Sequence, residues 1–184
     1  MKNVLIVSGH TDLNGSVANK VVIDELKQAF PEAELSILNE LYPDFNIDVQ
    51  AEQEKLLKAD IIVWQFPVFW YSMPSLLRRW IEQVCTHGFA YGSTGEKLKG
   101  KKLFVSFTLG APEAAYSREG VGYTIDEIIG SQIKSIAALC QLDLQEAIYT
   151  AGVNSALSGD PSVLENIKML SNNQALRLIE AIKA

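Results

Sequence analysis

Short aliphatic runs recur along this chain at intervals that leave room for one helix between them, and that alternation limits the folds open to it. Asn3–Val7, Glu34–Leu38, Asp60–Phe66, Lys102–Thr108 and Leu144–Tyr149 read as five strands. The runs are too apolar and β-branched to leave one face in water, which predicts a parallel sheet covered on both sides. Between them lie segments of helical period. Ser16 is placed to cap a helix reaching about Phe30, with Ala18, Val22, Leu26 and Ala29 on one face. A second helix is expected over Val49–Lys58, and a third begins near Pro74, where a missing N–H costs little. A fourth runs over Thr124–Leu139. Asp160-Pro161 caps a last helix, with Val163, Ile167 and Leu170 inward and a break near Ser171-Asn172-Asn173.

With 184 residues, no internal repeat and no flexible linker, this pattern predicts one doubly wound α/β domain over residues 1–184. Composition removes several alternatives. A formal net charge of −6 with scattered Lys and Arg excludes a broad nucleic-acid surface. No apolar run approaches the ~20 residues of a membrane span. The apolar start after Lys2 ends at Ser8-Gly9-His10 without a cleavage site, so a buried first strand and a cytoplasmic protein are expected. Cys85 and Cys140 form no CxxC, and with only His10 and His87 available no metal site is expected.

In a doubly wound sheet, ligands bind beyond the carboxyl ends of the strands. Three loops qualify. The first, Ser8–Ser16, leads into a helix N-terminus, where free N–H groups attract anions. It is neither a Walker loop nor a GxGxxG turn. His10 and Ser16 can serve a phosphate there, or the loop can be a plain capped turn. The second, Gln65–Pro74, packs four aromatics behind a strand. These suit a flat conjugated ring or a buried aromatic cluster. The third, Thr108–Pro112, carries small residues that admit a ring to the backbone, and Tyr116 follows it.

Together the loops resemble the NAD(P)H:quinone oxidoreductases of flavodoxin-like fold. The resemblance is carried by Gly9-His10 with Ser16–Asn19, by Leu41–Asp48 followed by Ala51-Glu52-Gln53, by Trp64–Pro67 continuing into Trp70–Leu77, and by His87–Gly92 with Leu98–Lys101. These segments look closest to the bacterial branch that includes the ancillary flavoproteins of glutathione-gated potassium efflux systems. The resemblance implies a five-stranded sheet in order 2-1-3-4-5 with helices on both faces. It further implies a non-covalent FMN or FAD, NAD(P)H as donor, a quinone or other small acceptor, and a homodimer. Carried over residue by residue, His10, Ser16, Val17 and Asn19 would hold the flavin phosphate. Pro67, Val68, Phe69, Trp70 and Tyr71 would line the isoalloxazine, and Thr108, Leu109, Gly110 and Ala111 would meet its pyrimidine edge. Phe89 and Tyr91 would roof the partner subunit's flavin, and Tyr116 would stand at the hydride-transfer site.

Two positions depart from the family's pattern. Its Thr-Thr-Gly-Gly loop reads Thr108-Leu109-Gly110-Ala111 here, and the histidine expected six residues after the tyrosine is Gly122. The reading is therefore a ping-pong quinone reductase. The alternatives are a flavin-bearing regulatory subunit docked peripherally on a potassium transporter and a one-electron carrier.

Overall fold

The computed structural model describes residues 2–154 and 160–184. Its strands are β1 (Val4–Ser8), β2 (Glu34–Ile37), β3 (Ile61–Pro67) and β4 (Lys102–Thr108), followed by two short ones, β5 (Asp143–Leu144) and β6 (Ile148–Thr150). All pair in parallel, in the order β2-β1-β3-β4-β5, and β6 pairs with β4 as well. The helices are α1 (Ala18–Ala29), the short α2 (Leu38–Leu41), α3 (Val49–Lys58), α4 (Ser75–Val84), α5 (Ser131–Leu139) and α6 (Pro161–Lys183).

Strand alternation sorts the core into two layers. Leu5, Val7, Ile62, Trp64, Leu103 and Val105 face α3, α4 and α5. Val4, Ile6, Ile61, Val63 and Phe104 face α1 and α6. β1 and β3 are buried at every position, as a sheet covered on both faces requires. Cys85 and Cys140 are both free and buried, and they meet in the first layer, where the hydrogen bond between them lowers the Cys140 thiol.

Five expectations are corrected. The fifth strand is not continuous over Leu144–Tyr149. Between the Leu103–Leu144 and Ser106–Ile148 pairs β4 advances three residues and its neighbour four. The extra residue is a bulge that divides the strand. The second strand ends at Ile37, because Leu38 already opens α2. The last helix does not break at Ser171-Asn172-Asn173. Ser171 and Gln174 are fully buried there, and tertiary packing overrides weak local propensity. Within that helix Ile167 is buried, but Val163 is 40% exposed. The segment expected as one helix from Thr124 instead opens with a π turn over Asp126–Gly130 before α5.

Candidate functional site

The carboxyl ends of β1, β3 and β4 lie side by side, since Ser8 pairs with Gln65 and Pro67 with Thr108. Loops one, two and three therefore open along one edge. Gly9 begins the first, its N–H donating to the Gln65 carbonyl at 2.9 Å. Only glycine fits there: a Cβ would lie 2.8 Å from the Leu77 side chain. Asp12 turns its carboxylate inward to accept from the Gly15 N–H at 3.1 Å. Ser16 Oγ accepts from the Asn19 N–H at 3.1 Å and caps α1 in effect, one position ahead of the formal cap Val17. Among the described residues no acceptor meets the N–H groups of Val17 and Ala18. These groups and the helix dipole make the start of α1 an anion cradle.

His10 stands over this loop with its ring edge-on to Phe69, 5.7 Å between centroids. Its Nδ1 accepts from the Asp12 N–H at 3.0 Å, so the neutral ring carries its proton on Nε2. Burial holds His10 below the ordinary imidazole value, against the raising influence of Asp12. The sign follows. The unfolded chain takes up a proton near pH 6.5, while the folded site resists it until lower pH. This contribution to stability is present above about pH 6.5 and is lost as pH falls through the folded value. An NMR titration should place His10 below a histidine in a denatured control, and His10→Asn should flatten the pH dependence of stability just below about pH 6.5.

Loop two folds back on itself. The Phe69 N–H donates to the Ser72 carbonyl and the Ser72 N–H to the Phe69 carbonyl, both at 3.0 Å. Between them Trp70 (φ 48°) and Tyr71 (φ 61°) both occupy the left-handed region. That is a type I′ turn built without glycine or asparagine. Such backbone costs about 1–3 kcal/mol per residue and gathers at functional sites. The turn holds the Trp70 indole 94% exposed, with Tyr71 and Phe69 exposed beside it. An exposed aromatic turn of this kind offers a surface on which a flat ring can pack.

Loop three begins at the buried Thr108, and its Leu109 side chain joins the core. The backbone here is partly committed: the Val68 N–H donates to the Thr108 carbonyl and the Leu109 N–H to the Thr150 carbonyl. Gly110 and Ala111 are left at the edge. Tyr116 packs against the same core, close to both Ala111 and Tyr71. Burial pushes its hydroxyl above the ordinary value; the Ala111 backbone N–H opposes the shift and Tyr71 adds to it.

Asn19 is a buried tie and not an open ligand. Its Nδ2 donates to Thr108 Oγ1 at 3.0 Å, and its Oδ1 accepts from Gln65 Nε2 at 2.8 Å. Gln65 was absent from the candidate set; its one signal was a polar residue in an otherwise apolar strand. Phe89 and Tyr91 are not brought to the other loops. α4 runs back against the strands, and the segment after it lies near the amino ends, where the Gly100 N–H reaches the Gln141 carbonyl. Both rings rest half-buried on the core, with His87 edge-on to Tyr91. Among the described residues no cluster of metal-ligating side chains occurs, and no helix is long and apolar enough to cross a membrane.

A doubly wound parallel sheet in this strand order, with an anion cradle and an aromatic turn at its carboxyl edge, defines a flavodoxin-like α/β protein. The flavodoxin-like fold family matches residues 2–172, and the chain belongs to that family. It is 42% identical over 142 residues to the glutathione-regulated potassium-efflux system ancillary protein KefF of Enterobacter sp. (strain 638), covering 76% of this chain and 77% of that protein. It is 46% identical over 132 residues to the uncharacterized NAD(P)H oxidoreductase YrkL of Bacillus subtilis, covering 70% and 74%. Among solved structures it superposes on general stress protein 14 of Treponema denticola, crystallised with FMN. The TM-score is 0.85 at 30% identity, over 97% of this chain and 98% of that one.

Proposed function

We propose that residues 1–184 form one flavin-dependent NAD(P)H oxidoreductase domain that reduces a quinone or a similar small acceptor by two-electron transfer. The observation that carries this reading is the pairing along one sheet edge of the Val17 and Ala18 N–H groups, which meet no acceptor among the described residues, with the exposed turn at Trp70-Tyr71. The cradle suits a flavin phosphate, and the platform suits a flat ring. The FMN bound by the Treponema protein, and the oxidoreductase relative in Bacillus subtilis, support the same reading.

A bound flavin supplies reversible two-electron chemistry that no side chain possesses. The chain's own residues hold and tune it. Ser16 and the N–H groups of Val17 and Ala18 would receive the phosphate, and His10 would offer an Nε2 donor beside it. Pro67–Tyr71 would form the wall along the ring, and Gly110 and Ala111 would meet its pyrimidine edge. Tyr116 keeps its proton, because burial raises its hydroxyl. With the ring walled on one side by these residues, NAD(P)H and acceptor would share its other face, and ping-pong kinetics are expected. Phe89 and Tyr91 sit on the segment after α4 that leads to the amino ends of the strands, which suits a cytoplasmic homodimer in which they cover the partner's site. The KefF relative favours a second role, peripheral docking on a potassium efflux transporter.

The purified protein should be yellow or should take up FMN or FAD with recovery of flavin absorbance. Ser16→Ala should weaken FMN binding by about 1 kcal/mol, the worth of one ordinary hydrogen bond. A protein that stays colourless after reconstitution with both flavins overturns the reading.

A further inference from the structure

The sheet face that packs on α1 and α6 changes character halfway along. Val4, Ile6, Ile61, Val63 and Phe104 make its first half apolar. Beyond them Ser8, Gln65 and Ser106 stand side by side across β1, β3 and β4, in register and fully buried. α1 inserts Asn19 into this row, joining Gln65 to Thr108. α6 inserts Gln174, whose Nε2 donates to Ser106 Oγ at 2.8 Å and to the Phe107 carbonyl at 3.2 Å. Four buried atoms of the row and its α6 flank, Ser8 Oγ, Gln65 Oε1, Ser171 Oγ and Gln174 Oε1, have no partner among the described residues.

Apolar side chains would fill this layer at lower cost, because each unpaired buried polar atom is penalised. What polar residues add is direction. A hydrogen-bonded chain in a low-dielectric interior fixes its members against one another. The hydrogen bonds here form two groups, Gln65–Asn19–Thr108 and Gln174–Ser106, which meet at the Phe107–Thr108 backbone and border both loops one and three. Asn19 is the second residue of α1, where its N–H sits on Ser16 Oγ beside the free N–H groups of the cradle. Thr108 opens loop three, directly after the carbonyl that Gln174 grips.

We propose that this buried row couples the two halves of the flavin site, with Gln65 and Gln174 as positioning residues. A phosphate at the start of α1 and a ring against residues 108–111 stabilise one shared placement of Asn19 and Thr108. Each therefore raises the affinity for the other, and by the same factor. This rests on the flavin reading above.

The two halves can be offered separately to the apoprotein as inorganic phosphate and riboflavin. Saturating phosphate should tighten riboflavin binding at least about fivefold, read by quenching of flavin fluorescence. In Gln174→Leu/Ser106→Ala, which removes both side-chain partners together, the factor should fall toward one. A merely structural role would weaken both affinities, or lower stability, and leave the factor in place. Thr108→Val cuts the link to Asn19 without adding charge and should also abolish the factor, so the inference stays testable if the double variant does not fold. Phosphate that leaves wild-type riboflavin affinity unchanged while FMN binds overturns the coupling alone. So does a factor that is equal in wild type and Thr108→Val. Failure of both FMN and riboflavin to bind overturns the flavin reading and the coupling with it.

Discussion

Glu52→Ala should lower the unfolding free energy by about 3–5 kcal/mol, the usual cost of breaking a buried charged pair. The Glu52 side chain is fully buried and accepts from four groups. Ser36 Oγ and Trp80 Nε1 reach Oε2, each at 2.8 Å. Tyr42 OH reaches Oε1 at 2.9 Å and Lys55 Nζ reaches it at 2.5 Å. The donors come from β2, from the segment after α2, from α4 and from α3 itself, so one carboxylate pins four pieces of chain. Alanine would strand three buried donors and a half-enclosed ammonium, and leave a cavity. Glu52→Gln keeps the volume and one acceptor oxygen but turns an NH₂ toward donors, and should cost less than alanine. Urea midpoints at constant m-value decide the matter. A loss below about 1 kcal/mol for Glu52→Ala would show that the pair is dispensable.

This network also explains why the stretch from Leu41 to Asp48 with Ala51-Glu52-Gln53 carried so much of the family resemblance without belonging to the site. Tyr42 and Glu52 are a structural pair, and burial followed by the Glu52 carboxylate drives the Tyr42 phenol far above its ordinary value. The Asp48 carboxylate caps α3 by accepting from the Ala51 N–H at 3.0 Å. Sequence patterning could locate α3 to the residue because a cap and a helical period coincide there. It located β4 equally well, since a run rich in β-formers, Phe104, Val105, Phe107 and Thr108 among them, stands between Gly100 and Gly110-Ala111-Pro112. It could not show the bulge between β5 and β6, because one surplus residue is visible only against a partner strand. Nor could it show that α6 continues through Ser171-Asn172-Asn173, where the signal for a break was local and the answer, Gln174 on β4, was not.

The site was legible to a similar depth. The three loops were placed by a topological rule, and the strand order sets them along one edge of the sheet. Which groups in them are free to meet a ligand was hidden. Asn19 reads as a polar residue near a helix start, yet both ends of its side chain are spent on Gln65 and Thr108. Leu109 reads as a loop residue, yet its side chain is core. Conversely, Trp70 and Tyr71 read equally well as buried aromatics, and only their left-handed backbone and exposure mark them as a platform. Burial and hydrogen-bond assignment are properties of the assembled sheet, so a single sequence carries them only faintly.

Tyr116→Phe should slow the oxidative half-reaction with a quinone by up to about 10²-fold, the low end of acid–base contributions. Negative charge develops on a quinone oxygen as it is reduced, and a donor aimed there stabilises the transition state. Tyr116 keeps the proton this needs, since burial raises its hydroxyl, and it stands beside Ala111 of loop three and Tyr71 of the platform. Reduction by NAD(P)H develops no such charge and should be nearly unchanged. The relay is short because the position six residues on is Gly122, which has φ 87° and no side chain. Its N–H donates to the Ser117 carbonyl at 3.0 Å and its own carbonyl accepts from Arg118 at 3.3 Å, so the glycine serves a tight turn. A Cβ there would meet open space, but L-residues resist that backbone. Gly122→His should therefore cost stability while returning little rate. Stopped-flow traces on the two half-reactions separate the cases. Equal oxidative rates for wild type and Tyr116→Phe would assign proton delivery to backbone groups and water, and leave Tyr116 as a packing residue beneath the aromatic turn.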